Sequence, residues 1–348
     1  MNARRLVVAT AVAVAMTIGA TRPGVGAAPL REEAAPRPAI SHAAIDSSLA
    51  RARRWLDTLE VDCAALDRAG LNGKKRLAEI LEAYLDCRLA TGESLGQRAI
   101  LERVTRLTAQ TRDNAYHDLA SYSDAEFKAN SLSYLRVAWL MSRFGLDVED
   151  YRRRVRAILP RMDAQMAARG AWQRSMFAHY LAVLGLRASR NAEPDPLRHG
   201  VIAHRLPLDR LDRGRAYDLT HEVFAVFEAD SAGALARFGP GDREYLNATL
   251  PVLAATEMAR GNTDLAAELL TCMALTGAAG DPRLRAGIGW LIAAQNPDGS
   301  WDRERGARAV RSSWIPLRDQ LHTTMVANEA LYEARQAGVE PATETPAR

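Results

Sequence analysis

The chain has 348 residues, 48% of them hydrophobic, 25% charged and 6% aromatic, with 23 Gly and 15 Pro. These proportions exclude collagen-like, low-complexity and disordered classes, and a chain this long buries enough surface to fold without a disulfide or metal staple. The formal charge of +4 falls to +1 once Arg4, Arg5 and Arg22 are set aside with the leader, so charge gives no argument for nucleic acid, which needs a clustered basic face.

Residues 1–28 read as a signal peptide. Arg4 and Arg5 precede an apolar run of fifteen residues, Leu6 to Ala20, and small residues around Ala27 and Ala28 suit cleavage. The run is short for a bilayer span. The expected location is therefore secreted or periplasmic; Arg4-Arg5 is a loose match to a twin-arginine signal. Residues 29–40 read as a flexible leader, 41–338 as a single helical domain and 339–348 as a flexible tail. No later segment reaches eighteen apolar residues, so an integral membrane protein is not expected. Cys63 and Cys87 are the local choice for a bridge, and Cys272 reads as a buried thiol in an apolar helix.

Helical periodicity dominates, and no segment reads convincingly as a strand. Helices are expected at 43–59, 74–90, 97–110, 131–145, 148–168, 172–187, 217–229, 242–260, 262–277, 281–295 and 319–336. In 148–168, Tyr151, Val155, Ile158, Leu159, Met162 and Met166 share one face, with a kink expected at Pro160. Asp281-Pro282 is a cap followed by proline at the first helical position, and Ser123 to Glu126 has capping-box spacing. The fold class is all-α, an α/α-toroid or a related helical-pair array.

Five of these helices start 41 to 57 residues apart, the scale of a helical repeat. Several open polar and then turn apolar: Ser131 to Tyr134; Gln173, Arg174, Ser175 and His179; Asp218, Thr220, His221 and Glu222; Asp319, Gln320, His322, Thr323 and Thr324. Stacked in register, they would gather polar first turns at one rim, where a cavity would open. Repeated N-capping chemistry explains the same pattern without a site.

The stretch Gln295-Asn296-Pro297-Asp298-Gly299-Ser300-Trp301 resembles the "Q…DG.W" turn of the α/α-toroid superfamily, which includes triterpene cyclases and protein prenyltransferase β subunits. The likeness covers about fifty residues closely, through the helix Leu321 to Leu331, and implies a toroid. In such a turn Gln295 would cap a helix end and Trp301 would fix one helix pair to the next. The catalytic motifs of that superfamily are missing: there is no DxDD or DDxxD run, no Asp-x-Cys preceding His322 and no GCGEQ stretch. Fold does not dictate chemistry.

The densest constellation is Tyr217 to Glu222. Asp218, His221 and Glu222 stand at i, i+3 and i+4, so one helix face would present two carboxylates and an imidazole, able to hold a divalent metal or to run acid–base chemistry. The structural alternative has Asp218 as an N-cap and His221 as a packing residue. His322 is the second catalytic candidate, and Tyr217, Arg174, His179 and Thr323 are substrate-binding candidates. Ser175 lacks a GxSxG context. The functions weighed are a non-redox cyclase, isomerase or lyase acting on a small or medium hydrophobic substrate, a carbohydrate lyase or hydrolase, and a non-catalytic binding scaffold. The expected partner is a small molecule or carbohydrate, with no nucleic acid and no nucleotide cofactor. The cofactor is otherwise unknown beyond a divalent metal at His221, Asp218 and Glu222.

Overall fold

The computed structural model describes residues 41–69, 71–92, 94–111, 122–187, 195–229, 233–305 and 318–339. The expected signal peptide, the leader and residues 340–348 lie outside these, as do His117 and Trp314. Among the described residues the chain is all-helical: α1 (His42–Thr58), α2 (Cys63–Arg68), α3 (Leu71–Ala90), α4 (Ser94–Gln110), α5 (Asp124–Arg143), α6 (Glu149–Ala167), α7 (Ala171–Val183), α8 (Arg213–Ala229), α9 (Ala234–Arg237), α10 (Pro240–Ala259), α11 (Thr263–Leu275), α12 (Pro282–Ala293) and α13 (Arg318–Gln336). No described helix is long and apolar enough to cross a membrane. Cys63, Cys87 and Cys272 are all unbridged, so the expected Cys63–Cys87 pairing is not formed.

Helix starts follow local chemistry. Ser41 caps α1 by accepting from the Ala44 amide at 3.1 Å, and Asp281 caps α12 by accepting from the Arg283 amide at 2.8 Å. Two starts differ from expectation. Helix α5 begins directly after Ser123, where the capping-box spacing had pointed, rather than at 131. Helix α8 begins at Arg213 because Asp212 accepts from the Arg215 amide at 2.9 Å. Asp218 therefore sits inside the helix and is not its N-cap.

Six helices pack in a closed circuit. Helix α3 lies on α5, α5 on α7, α7 on α8, α8 on α11, α11 on α13, and α13 returns to α3. The others lie outside it: α1 on α3, α12 and α13, α4 on α3, α6 on α5 and α7, and α10 on α11 and α12. The chain thus alternates between inside and outside. The exception is the step from α7 to α8, where 3-10 turns at Pro196–His199 and Leu208–Arg210 stand in for an outer helix. The pattern of burial follows. Every residue of α11 from Thr263 to Ala274 is buried, whereas α6 buries one stripe, Tyr151, Val155, Met162 and Met166.

The Gln295–Trp301 turn ties the end of α12 to the outer helix α1. Gln295 donates through Nε2 to the carbonyls of Ser48 (3.0 Å) and Gly299 (2.9 Å), while its Oε1 accepts from Ser48 Oγ (2.7 Å) and from Arg51. It ties the last helices to α1 rather than capping a helix end. Gly299 takes φ +101°, and a Cβ there would lie 2.3 Å from the Arg51 carbonyl oxygen. Only glycine lets the two backbones approach this closely.

Candidate active site

The N-terminal turns of α8, α11 and α13 meet against α3, and their polar residues join across the helices. Tyr217 on α8 donates to Asp264 Oδ2 at 2.6 Å, and Thr323 on α13 donates to Asp264 Oδ1 at 3.2 Å. Thr220 donates to Glu268 Oε2 at 2.7 Å. His322 lies between them. Its Nε2 is 3.3 Å from Asp264 Oδ1 and 3.8 Å from Glu268 Oε1, and its Nδ1 is 3.6 Å from Glu79 Oε1. Asp264, Glu268 and Glu79 are buried; the His322 side chain is 20% exposed and forms the solvent edge of the cluster.

Burial sets the charges. Glu268 is pushed well above the usual carboxylate range by burial and then by the neighbouring Asp264. Burial also acts to raise Glu79, but Arg76, at 2.5 Å, together with His322 and Lys75, outweighs it and holds this carboxyl below its ordinary value. Burial, with Asp264 and Glu268 beside it, pushes the Tyr217 phenol far up, so Tyr217 stays a hydrogen-bond donor. The site therefore pairs a carboxyl that tends to hold its proton with one that tends to lose it, on either side of an imidazole.

The expected face of Asp218, His221 and Glu222 does not act as a unit. Asp218 accepts from Trp172 Nε1 at 3.2 Å. Glu222 points away from the cluster and accepts from the Val201 and Ile202 amides at 2.7 and 3.0 Å, in a seat where a Cβ on Gly200 would lie 2.4 Å from its carboxyl. His221 alone faces inward. It is fully buried, stacks on Trp172 with centroids 4.4 Å apart, and puts Nδ1 2.5 Å from the Tyr217 carbonyl and 3.9 Å from Glu268. Burial lowers its pKa to about 3, so it is a neutral ring beneath the cluster rather than its solvent-facing centre. A metal held by His221, Asp218 and Glu222 together is therefore ruled out by where the three side chains go.

Of the other candidates, Tyr217, Thr323 and His322 belong to the cluster. Arg174 is half-buried in the first turn of α7. His179 lies against Trp139 near the C-terminal end of α5, where burial and then Arg143 lower its pKa to about 4, and it does not join the site. Asp264, Glu268 and Glu79 were not singled out from sequence. A signal existed: Asp264 and Glu268 stand at i, i+4 on a helix otherwise apolar around its circumference, so both had to be buried.

Below the cluster the inner helices stay polar. Arg136 on α5 pairs with Glu82 on α3, both buried, and it acts electrostatically on Glu228 and Glu268. A separate cavity of about 200 Å³ lies between α10, α11 and the start of α12, lined by Leu246, Leu250, Pro251 and Met273. It is at the opposite end of α11 from Asp264 and is not part of this site.

The Glu222 seat yields a pH test. Burial raises its carboxyl to about 7 against an ordinary 4.5, despite the two amide bonds. Between those values the folded chain holds a proton that the unfolded chain has released, so stability falls as pH rises from 4.5 to 7. At about 1.4 kcal/mol per unit the term is on the order of 3 kcal/mol. Denaturant midpoints at pH 5 and 7.5 should show this loss in the wild type and a flatter dependence in Glu222→Gln. Parallel pH dependences in the two proteins would overturn it.

Residues 46–332 match a family described as a domain of unknown function (DUF6895), a span that runs from α1 into α13 and contains every residue of the cluster. No curated protein matches the chain.

Proposed function

The chain belongs to the DUF6895 family, and from that premise we propose that it is an exported, non-redox α/α-toroid enzyme of the hydrolase or lyase type. Its substrate in this reading is a small polar molecule or carbohydrate, taken at the N-terminal rim of the inner helices. The toroid is supported by the closed circuit from α3 round to α13 and by the Gln295–Trp301 turn that ties α12 to α1. Export is supported by the character of residues 1–28.

One observation carries the catalytic reading: His322, Asp264 and Glu268 converge from two helices, with only His322 open to solvent. In this scheme His322 exchanges a proton with substrate. Glu268 lies buried behind the imidazole, 3.8 Å from its Nε2, and Tyr217 and Thr323 fix Asp264. His221 is a positioning residue, since its fully buried ring braces Trp172 and the Tyr217 carbonyl. The cyclase or isomerase reading on a hydrophobic substrate is weaker because Arg136, Glu82, Glu228 and Glu268 occupy the interior such a substrate would need.

The test is a screen of wild type and His322→Ala against glycoside, ester and uronate substrates. General acid–base groups contribute about 10²–10⁴-fold, so His322→Ala should lose at least about 100-fold in kcat/KM. Its melting temperature should change little, because the side chain is at the solvent edge. Wild-type turnover undiminished in His322→Ala would remove this cluster as the catalytic site. A ligand that binds without turnover, and equally well to both proteins, would favour the scaffold.

A further inference from the structure

We infer that Asp264, Glu268 and His322 bind one divalent first-row metal ion. The inference deepens the functional reading and rests on it only for what the ion would do; the evidence for binding is geometric. One ligand atom from each residue lies within 4.8 Å of the other two. His322 Nε2 is 3.3 Å from Asp264 Oδ1 and 3.8 Å from Glu268 Oε1. Ligands about 2.0–2.2 Å from a tetrahedral ion are separated by roughly 3.3–3.6 Å, so the two edges at His322 already stand near those of a coordination shell. At 3.8 Å the second pair is too far apart for a hydrogen bond.

A second observation points to a ligand. Glu268 is fully buried, and its Oε1 has no hydrogen-bond partner among the described residues while it faces this cluster. A buried carboxylate oxygen left so is costly, and a cation relieves it. The second oxygens of the two carboxyls are anchored as in a metal site. Thr220 holds Glu268 Oε2, Tyr217 holds Asp264 Oδ2, and Glu79 faces His322 Nδ1. Glu79 Oε1 stands 3.6 Å from Nδ1, just beyond hydrogen-bond reach, and closing on it would fix the tautomer that leaves Nε2 free to coordinate.

The donor set selects the class of ion. Two carboxylate oxygens and one imidazole nitrogen suit Zn²⁺ or Mn²⁺. Cys272, on the same helix, is outside the set, since its thiol donates to the Thr220 carbonyl at 3.7 Å. Glu268 would release its proton on binding the ion, and the two carboxylates then match the charge of one divalent cation. The partly exposed side of His322 is where a fourth ligand, water or substrate, would enter.

The test uses mature protein stripped with chelator, dialysed, and titrated calorimetrically with Zn²⁺ and Mn²⁺. One ion per chain is expected, with His322→Ala and Asp264→Asn weakening Kd by at least about 100-fold. Glu79→Gln, which removes only the group behind the imidazole, should weaken it about 10–100-fold. Asp46→Asn, at an exposed surface pair with Arg335, should bind as wild type does. Circular dichroism and melting accompany each variant; if Asp264→Asn does not fold, His322→Ala carries the comparison. Wild-type binding no tighter than that of His322→Ala, or no binding by the wild type, would overturn the proposal and leave a proton bridging the cluster. The two readings separate cleanly. Turnover lost in His322→Ala without metal binding keeps the enzyme and removes the ion, whereas metal binding without any effect of His322→Ala on turnover does the reverse.

Discussion

Trp301→Ala is expected to destabilise the protein by about 3–5 kcal/mol, the range for truncating a buried aromatic residue. Trp301 is fully buried, donates through Nε1 to the Leu291 carbonyl at 2.8 Å, and its own amide donates to Thr324 Oγ1 at 3.0 Å. It joins the end of α12 to α13 beside the turn that holds α1. Truncation would open a cavity there and loosen the junction by which Gln295 and Gly299 grip Ser48 and Arg51. Two readouts follow. The melting temperature should fall by roughly 5–8 °C, taking about 1.6 °C per kcal/mol for a domain of about 300 residues. Amide exchange in α1 should also accelerate more than in α6, which packs on α5 and α7. Trp301→Phe, which keeps most of the apolar area and loses one hydrogen bond, should cost about 1–2 kcal/mol. A shift under 2 °C for Trp301→Ala would mean that this turn does not hold α1 to the last helices.

That junction was largely legible in the sequence, and the site much less so. A turn such as Pro297-Asp298-Gly299 is encoded within a few residues, and a caps-and-period reading finds α6 and α12 almost to their ends. Local patterning also marked the polar openings of α8 and α13, from which Tyr217, His322 and Thr323 do come together. The Asp218, His221 and Glu222 face failed for a different reason. Shared azimuth on a helix is a local property, but partners are tertiary. Trp172 takes Asp218, the Val201 and Ile202 amides take Glu222, and only His221 is left facing the interior. Asp264 and Glu268 were hidden by the converse ambiguity. Acids in the first turns of a helix read as dipole chemistry until the helix is known to be buried on every side. Glu79, Glu82 and Asp86 of α3 stand at i, i+3 and i+7, the spacing of a charged helix face, yet all three are buried.

Those buried acids make Arg136 the residue whose loss should be felt most after Trp301. Its side chain is 1% exposed and pairs with Glu82, itself 0% exposed, at the centre of the circuit. Glu228 and Glu268 both have carboxyls pushed well above the usual range by burial, and Arg136 acts in the opposite direction on each. Removing one partner of a buried pair strands the other charge, at a cost of about 3–5 kcal/mol, so Arg136→Met should be strongly destabilising. Adding Glu82→Gln to Arg136→Met removes the stranded carboxylate. The double variant should therefore be more stable than Arg136→Met alone, with a coupling of about 1–3 kcal/mol in the cycle of urea midpoints. Additivity within about 0.5 kcal/mol would show that Glu82 does not depend on Arg136 for its charge. The cycle also bears on the rim. If Arg136 is the cation that lets these inner carboxyls pack together, its loss should disturb Glu268 while leaving the Tyr217–Asp264 bond, made at the rim by other residues, in place.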